Sequence, residues 1–185
     1  FGEMARHGAT APPLGLCYLA AALLRAEIKS RIIDALSFDK TMEETVAEIV
    51  NQNPCYVGIS SMTVGIFRAA ELAEQIKKTA PKIVTIIGGA HITAIPQETM
   101  NRFSQFDIGV IGEGELTIVE LIETLESKGN IEYVNGLIVR KPNGHLMLTD
   151  PRPYIKDLDS IPFPAWDMAP HLKYYHESAT RFSKL

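Results

Sequence analysis

The chain has 185 residues, of which 46% are hydrophobic, and a formal net charge of −4 at pH 7. This composition is typical of a globular protein with a sizeable core, and the acidic balance argues against nucleic acid as a partner. The longest apolar runs, Pro12–Leu24 and Ile83–Ile87, fall short of the roughly 20 residues of a membrane span. We therefore expect a soluble, cytoplasmic protein.

Two cysteines, Cys17 and Cys55, lie in apolar contexts and show no C-x-x-C or C-x-x-x-C-x-x-C spacing. The sequence therefore predicts neither a disulfide framework nor a cysteine-ligated metal or iron–sulfur site. We expect both side chains to be buried, reduced thiols, which agrees with a reducing compartment.

Helical and strand patterns alternate through the first two thirds of the chain. In order, the patterns predict a helix at Leu16–Leu24, a strand at Arg31–Ala35, a helix at Met42–Val50, a strand at Tyr56–Ser60, a helix at Phe67–Lys78, a strand at Lys82–Ile87, a helix at Gln97–Arg102, a strand at Asp107–Ile111 and a helix at Glu115–Ser127. Thr41 and Glu44 form a capping-box pattern ahead of the second helix. The K-I-V-T-I-I run is continuously apolar, as a strand covered on both faces should be.

Strands that alternate with helices predict right-handed crossovers and a parallel sheet. The fold class is therefore a doubly wound, Rossmann-like (flavodoxin-like) α/β domain. Such a domain usually has five strands with the first in the middle, and only four are predicted here. Residues 1–11 have the character of the loop that follows the first strand, so we expect that strand to be missing from this sequence or replaced by another element.

After Gly129 the pattern changes. Short strands at Leu137–Arg140 and His145–Leu148 flank Asn143-Gly144, a strong hairpin signal. From Pro151 the chain is rich in proline and has little periodicity, which indicates an extended linker or arm. We predict an α/β domain over 1–130, a β-hairpin over 131–150 and an arm over 151–185.

The predicted strands are followed by loops at the sheet edge where ligands bind in open parallel sheets. Asp34 follows the first strand, where an acid can meet a ribose hydroxyl. The other three loops carry glycines, which allow close backbone approach, and hydroxyls and helix-start N–H groups that suit phosphates and amides. The candidate cofactor-binding residues are Ser60, Ser61, Met62, Thr63, Gly65, Gly88, Gly89, His91, Gly112, Glu113, Gly114 and Glu115.

Each feature also has a structural interpretation. The glycine pair fits a tight turn, Ser60–Thr63 an N-cap cluster, and Gly112–Glu115 a helix start with favourable acids. His91 fits a hydrogen-bonded loop residue better than a metal ligand, and Asp34 fits a plain turn residue. No G-x-G-x-x-G follows a strand and no G-x-x-x-x-G-K-[ST] occurs, which counts against dinucleotide and P-loop sites.

A set of short motifs also occurs in a characteristic order. They are Pro12-Pro13-Leu14-Gly15-Leu16, Tyr18-Leu19-Ala20-Ala21, Ile33-Asp34-Ala35, Gly58-Ile59-Ser60, Gly88-Gly89-Ala90-His91, Gly112-Glu113-Gly114-Glu115 and Pro162-Phe163-Pro164-Ala165-Trp166. Together they resemble the N-terminal cobalamin-binding domain of cobalamin-dependent radical S-adenosylmethionine (SAM) enzymes of the anaerobic cyclase and methyltransferase type. The resemblance covers nearly the whole chain.

The resemblance implies that cobalamin lies against the sheet edge. The loops at Ser60–Thr63 and Gly88–His91 would embrace its nucleotide tail and corrin, and the loop at Gly112–Glu115 would complete the pocket. His7 occupies the loop in which cobalt-ligating relatives carry D-x-H-x-x-G, but Ala5 and Thr10 replace the Asp and Gly. The expected state is therefore base-off, with no protein histidine on cobalt.

The resemblance also implies that the arm leads to a C-terminal radical SAM barrel of the same polypeptide, with a four-iron four-sulfur cluster and S-adenosylmethionine. The three-cysteine motif of that barrel is absent from this sequence. The chain is thus expected to be a cofactor module for methyl transfer or related radical chemistry, without catalytic residues of its own. The alternatives are a nucleotide- or flavin-binding regulatory module of receiver or flavodoxin type, and an interaction domain that docks through Phe163 and Trp166.

Overall fold

Three parallel strands extended by an antiparallel hairpin form one five-stranded sheet in the computed structural model, which describes residues 11–169. The strands lie in the order β1-β2-β3-β4-β5. Their bounds are Tyr56–Ser60 for β1, Val84–Gly88 for β2, Ile108–Val110 for β3, Leu137–Arg140 for β4 and Leu146–Leu148 for β5. The open α/β sheet confirms the predicted Rossmann-like fold class.

Six α-helices connect or precede these strands in the described part of the chain. They are α1 at Leu14–Arg25, α2 at Met42–Asn51, α3 at Ile66–Thr79, α4 at Ala90–Ala94, α5 at Pro96–Arg102 and α6 at Gly114–Glu126. Five agree with predicted helices within two residues, whereas α4 was not predicted because a five-residue helix is too short to show a periodic pattern. None of the described helices is long and apolar enough to cross a membrane.

The centre of the sheet is covered on both faces. Thr85, Ile86 and Ile87 are consecutive in β2 and therefore point to alternate faces, yet all three are buried. This burial explains the continuously apolar sequence of that strand, as expected for a doubly wound sheet.

The hairpin predicted around Asn143-Gly144 is confirmed, and it continues the sheet. Gly144 has a φ of 83°, in the left-handed region that glycine favours, and its N–H donates to Lys141 O at 2.8 Å. Strand β4 pairs antiparallel with β3, with Val110 opposite Leu137. The described residues fall in two compact units, 11–45 with 162–169 and 46–161, and the domain bounds given above stay a prediction.

In the first unit, the helix starts follow the sequence signals. The capping box is present, since Thr41 N donates to Glu44 Oε2 at 2.8 Å and Glu44 N donates to Thr41 Oγ1 at 3.2 Å. Cys17 of α1 is buried, and its carbonyl accepts the N–H of Ala165 at 3.0 Å. Burial raises the pKa of the Cys17 thiol, and the nearby charge of Asp34 acts in the same direction.

Two predictions within the described residues are wrong. Arg31–Ala35 is not a strand, because it has no strand partner among residues 11–169 with which to form a ladder. The Asp34 carboxylate instead accepts from Ser37 N at 3.2 Å and Ser37 Oγ at 2.6 Å, which makes it a turn residue. Cys55 is exposed, because it lies in the turn that precedes β1. Residues 1–10, with His7, lie outside the described residues.

Candidate functional site

The carboxyl ends of β1, β2 and β3 meet at one edge of the sheet because these strands are parallel. Three loops follow them, which we call the first, second and third rim loops, at 60–65, 88–95 and 111–116. Together they form the carboxyl rim. All twelve candidate cofactor-binding residues lie in these loops, so the topology brings the predicted set to a single edge.

The first and second rim loops are fastened together by backbone hydrogen bonds. Ser61 N donates to Gly88 O at 3.0 Å, and His91 N donates to Ser61 O at 3.3 Å. Gly89 lies between these contacts with a φ of 97°, and a Cβ on it would come within 2.7 Å of Ser61 O. Only glycine fits at this position, for reasons of both backbone conformation and space.

A side-chain contact adds to this connection. The buried imidazole of His91 places Nδ1 3.2 Å from the hydroxyl of Thr63, which begins a 3-10 turn over Thr63–Gly65. Ser61 is also buried, and its hydroxyl donates to Met62 O at 2.8 Å. Ser61 and His91 therefore hold the shape of the rim, and their side chains are largely withdrawn from its surface.

Thr93 connects the second rim loop to the third. Its hydroxyl donates to Gly89 O at 2.9 Å and accepts the N–H of Gly112 at 3.0 Å. Thr93 was not in the predicted set of site residues. One sequence signal could have identified it, namely a threonine four residues after Gly89. In a helical turn a threonine hydroxyl commonly donates to the carbonyl four residues earlier.

The outer surface of the rim is open. Ser60, Thr63 and Gly112 are exposed, and a Cβ placed on Gly88 or Gly112 would have no neighbouring atom within 4 Å. Large apolar side chains are also exposed on the three loops, namely Met62 at 68%, Val64 at 95%, Ile95 at 41% and Leu116 at 43%. Exposed apolar groups beside bare backbone indicate a surface that a ligand or a partner covers.

The two acidic residues of the third rim loop have different environments. Glu113 occupies the N-cap position of α6, and its Oε2 accepts the N–H of Ile155 at 2.7 Å. Its carboxylate is thus engaged with the start of the arm, 42 residues further along the chain. Glu115 lies in the first turn of α6, where a negative charge is favourable to the helix dipole.

The described residues of the rim supply groups that can bind a ligand, and they do not form a cluster of reactive side chains. Between residues 11 and 169 no three His, Cys, Asp or Glu side chains are grouped so that they could hold a metal ion. The rim presents backbone, hydroxyls and apolar side chains. These features are typical of an open α/β ligand-binding domain, and they make the carboxyl edge of the sheet the candidate site.

Comparison with known families agrees with this class of protein. The model of the B12 binding domain family matches residues 4–122. The chain belongs to the B12-binding domain family.

Similar proteins are considerably longer than this chain. An uncharacterized methyltransferase of Pyrococcus horikoshii is 37% identical over 167 residues, which cover 90% of this chain and 36% of that protein. The anaerobic magnesium-protoporphyrin IX monomethyl ester cyclase of Rubrivivax gelatinosus is 29% identical, with 89% of this chain and 30% of that protein covered. The chain thus spans about a third of the length of these curated relatives.

A solved structure shares the fold. The cobalamin-dependent S-adenosylmethionine radical enzyme OxsB, solved with aqua-cobalamin and S-adenosylmethionine bound, superimposes with a TM-score of 0.72. The match covers 84% of this chain and 22% of that protein at 19% identity. At this identity the similarity establishes the fold.

Proposed function

We propose that the carboxyl rim binds cobalamin. The observation that supports this most directly is the open backbone at Gly88 and Gly112, on loops that are hydrogen-bonded to one another at a single sheet edge. A flat, wide ligand needs several loops held at a fixed spacing. The contacts made by Ser61, His91 and Thr93 supply that spacing before any ligand arrives.

The chemistry of the rim fits the chemistry of a corrinoid. Cobalamin combines a broad macrocycle, amide side chains and a nucleotide tail with a phosphodiester. The exposed Met62 and Val64 offer apolar contact to the macrocycle, whereas Ser60 and Thr63 offer hydroxyls to amides or phosphate. At Gly88 and Gly112 the absence of a side chain lets the ligand approach the backbone closely.

The twelve candidate residues divide into three roles in this proposal. The residues that contact the bound ligand are Ser60, Met62 and Thr63 in the first loop, Gly88 in the second, and Gly112, Gly114 and Glu115 in the third. The residues that position the loops are Ser61, Gly65, Gly89 and His91. The remaining residue, Glu113, holds the arm through its contact with Ile155.

We propose that no histidine of the rim ligates cobalt. The support is the burial of His91, whose imidazole is 7% exposed and is therefore withdrawn from the surface of the rim. A cobalt ligand needs a ring nitrogen that reaches the metal, normally with a carboxylate or carbonyl that orients the ring, whereas the group beside His91 Nδ1 is the Thr63 hydroxyl. The proposed state is therefore the expected one, base-off with no protein histidine on cobalt.

We further propose that the chain acts within a larger cytoplasmic radical SAM enzyme, of the methyltransferase or cyclase type. The methyltransferase and cyclase activities of the longer relatives support the reaction type, and the structurally similar OxsB is a radical SAM enzyme. In that enzyme a C-terminal barrel of the same polypeptide would hold the four-iron four-sulfur cluster and S-adenosylmethionine. When bound, cobalamin supplies the organocobalt chemistry, and the residues described here bind it, position it and shield it from water.

Titration of aquocobalamin into the purified 185-residue chain tests the binding proposal. We expect a shift in the visible absorption bands, retention of the corrinoid in equilibrium dialysis, and one equivalent bound per chain. Cobinamide, which lacks the nucleotide tail, should bind more weakly if the first and second rim loops contact that tail. Retention of flavin mononucleotide with no retention of either corrinoid would instead support the flavodoxin-like alternative, and retention of none of the three would contradict a cofactor role.

A further inference from the structure

Glu113 connects the third rim loop with the arm. Its backbone lies in the third rim loop, between Gly112 with a φ of 80° and Gly114, the first residue of α6. Its side chain reaches the first part of the arm, residues 151–161, where Oε2 accepts the Ile155 N–H at 2.7 Å. A displacement of the Glu113 backbone therefore moves the acceptor that holds the arm.

A second contact holds the same stretch of chain against α6. Glu120 lies two helical turns after Glu113, on the same helix face, and forms an ion pair with Arg152. The Arg152 side chain is only 16% exposed, and its Nε is buried without a hydrogen-bond partner. Together, Glu113 and Glu120 form a two-point clasp for residues 152–155.

The clasp is also tied to the end of the sheet. Gly136 N donates to Asp150 O at 2.8 Å, and Gly136 O accepts from Ile111 N at the same distance. A Cβ on Gly136 would lie 3.2 Å from Ile111 O and 3.3 Å from Arg152 Cβ. The third rim loop, the beginning of β4 and the arm therefore pack as one set of contacts.

We propose that Glu113 couples occupancy of the rim to the position of the arm. This inference rests on the proposed cobalamin site. A ligand that contacts the backbone at Gly112 and Gly114 restricts the motion of Glu113, which lies between them. The carboxylate is then already placed when Ile155 docks, so the arm loses less conformational freedom on docking and stays docked for longer. The thermodynamic coupling is reciprocal, so a docked arm strengthens ligand binding by the same factor.

Backbone amide exchange of Ile155, measured by NMR on the 185-residue chain, tests this coupling. Saturating aquocobalamin should slow exchange at Ile155 by about fivefold, within the usual range of coupling between sites. Glu113→Ala should speed exchange in the ligand-free chain by roughly tenfold, because a hydrogen bond to a carboxylate is lost. In this variant the exchange rate should no longer respond to cobalamin, and the dissociation constant should rise by about the factor seen at Ile155.

Three matched variants sharpen the test. Glu113→Gln keeps an acceptor oxygen and should retain part of the response, whereas Glu123→Gln changes an exposed acid of α6 outside the proposed site and should leave it intact. Glu120→Gln loosens the Arg152 contact and should preserve the cobalamin response at Ile155. Absence of corrinoid binding to the unaltered chain would refute the binding proposal, and with it this one. Normal binding with unchanged Ile155 exchange would overturn the coupling alone, as would an E113A variant that still responds.

Discussion

The two ends of the same sheet are built from different chemistry. At the carboxyl rim, the backbone at Gly88 and Gly112 faces open space and Ser60 is exposed. At the amino end, charged and polar groups satisfy one another: the Asp107 carboxylate accepts from Thr85 N at 2.8 Å and Thr85 Oγ1 at 3.0 Å and forms an ion pair with Lys77. Lys77 also donates to Ile83 O at 2.7 Å.

Arg140 makes a second set of polar contacts at the amino end of the sheet. Its Nε donates to Phe106 O at 3.1 Å and its Nη2 donates to the carbonyl of Met100, both in the segment that leads into β3. Polar groups at this end are therefore used to join helices to strands. The difference between the ends separates residues that stabilise the fold from residues that remain available to a ligand.

The largest expected effect comes from the adjacent glycines of the second rim loop. Gly89→Ala should destabilise the chain by about 3 kcal/mol, because alanine would adopt a positive φ and clash with Ser61 O. Gly88→Ala should change stability by less than about 0.5 kcal/mol, since the position has open space. It should nevertheless weaken cobalamin binding by about tenfold, because its methyl group occupies the ligand contact.

Urea unfolding and equilibrium dialysis separate these two outcomes. An unstable G88A variant would show that the space beside Gly88 is needed by the protein itself. A stable G88A variant with unaltered affinity would place the ligand elsewhere.

At the amino end, we expect stability to change without any change in binding. Asp107→Ala removes the acceptor of the buried Thr85 N–H and the partner of Lys77, which should cost about 2 kcal/mol in the free energy of unfolding. The dissociation constant for aquocobalamin, measured on the folded variant, should stay within twofold of the unaltered chain. A large loss of affinity would contradict the separation of the two ends.

A smaller effect is expected at the contact between the first and second rim loops. Thr63→Val keeps the shape of the side chain but removes the hydroxyl beside His91 Nδ1, which should cost about 1 kcal/mol. Because the first rim loop then loses a restraint, the dissociation constant should rise severalfold. Thr79→Val is a suitable control, since its hydroxyl donates to the Gln75 carbonyl at an exposed position of α3. If both variants bind aquocobalamin with equal affinity, Thr63 is not part of the binding site.

The smallest expected effect is a titration at the amino end of β1. Burial raises the pKa of Tyr56 to about 12, and the hydrogen bond to Glu126 Oε1 at 2.8 Å acts in the same direction. Because the raised pKa favours the neutral phenol in the folded state, its contribution to stability is complete below about pH 10 and is lost as pH rises toward 12.

A difference titration of tyrosinate absorption between the chain and Tyr56→Phe should give a single midpoint near the raised pKa, and Glu126→Gln should lower that midpoint. A midpoint near 10 would show that the phenol gains no protection at this end of the sheet.

Local signals were sufficient for most of the fold. The K-I-V-T-I-I pattern identified β2 because a strand buried on both faces must be apolar throughout, and Thr41 with Glu44 predicted the start of α2 through a capping interaction. The edge that carries the candidate site followed from topology alone, since parallel strands bring their carboxyl ends together. These inferences depend on neighbours in the chain or on a general rule of the fold.

Inferences that depend on distant partners were less successful. Arg31–Ala35 has the composition of a strand, but a strand also needs a partner for its hydrogen bonds, and composition does not supply one. Cys55 is apolar in its sequence context but lies in an exposed turn. The contact between Glu113 and Ile155 links residues far apart in sequence, so no local pattern distinguishes an acid that holds the arm from one that faces a ligand.

Backbone amide chemical shifts recorded with and without aquocobalamin test the central claim most directly. We predict that the perturbed amides lie in the three rim loops, around Ser60–Thr63, Gly88–Gly89 and Gly112–Glu115, whereas the amides of Thr85 and Asp107 at the amino end stay unchanged. Perturbations centred on the amino end, or none at saturating cobalamin, would contradict the account.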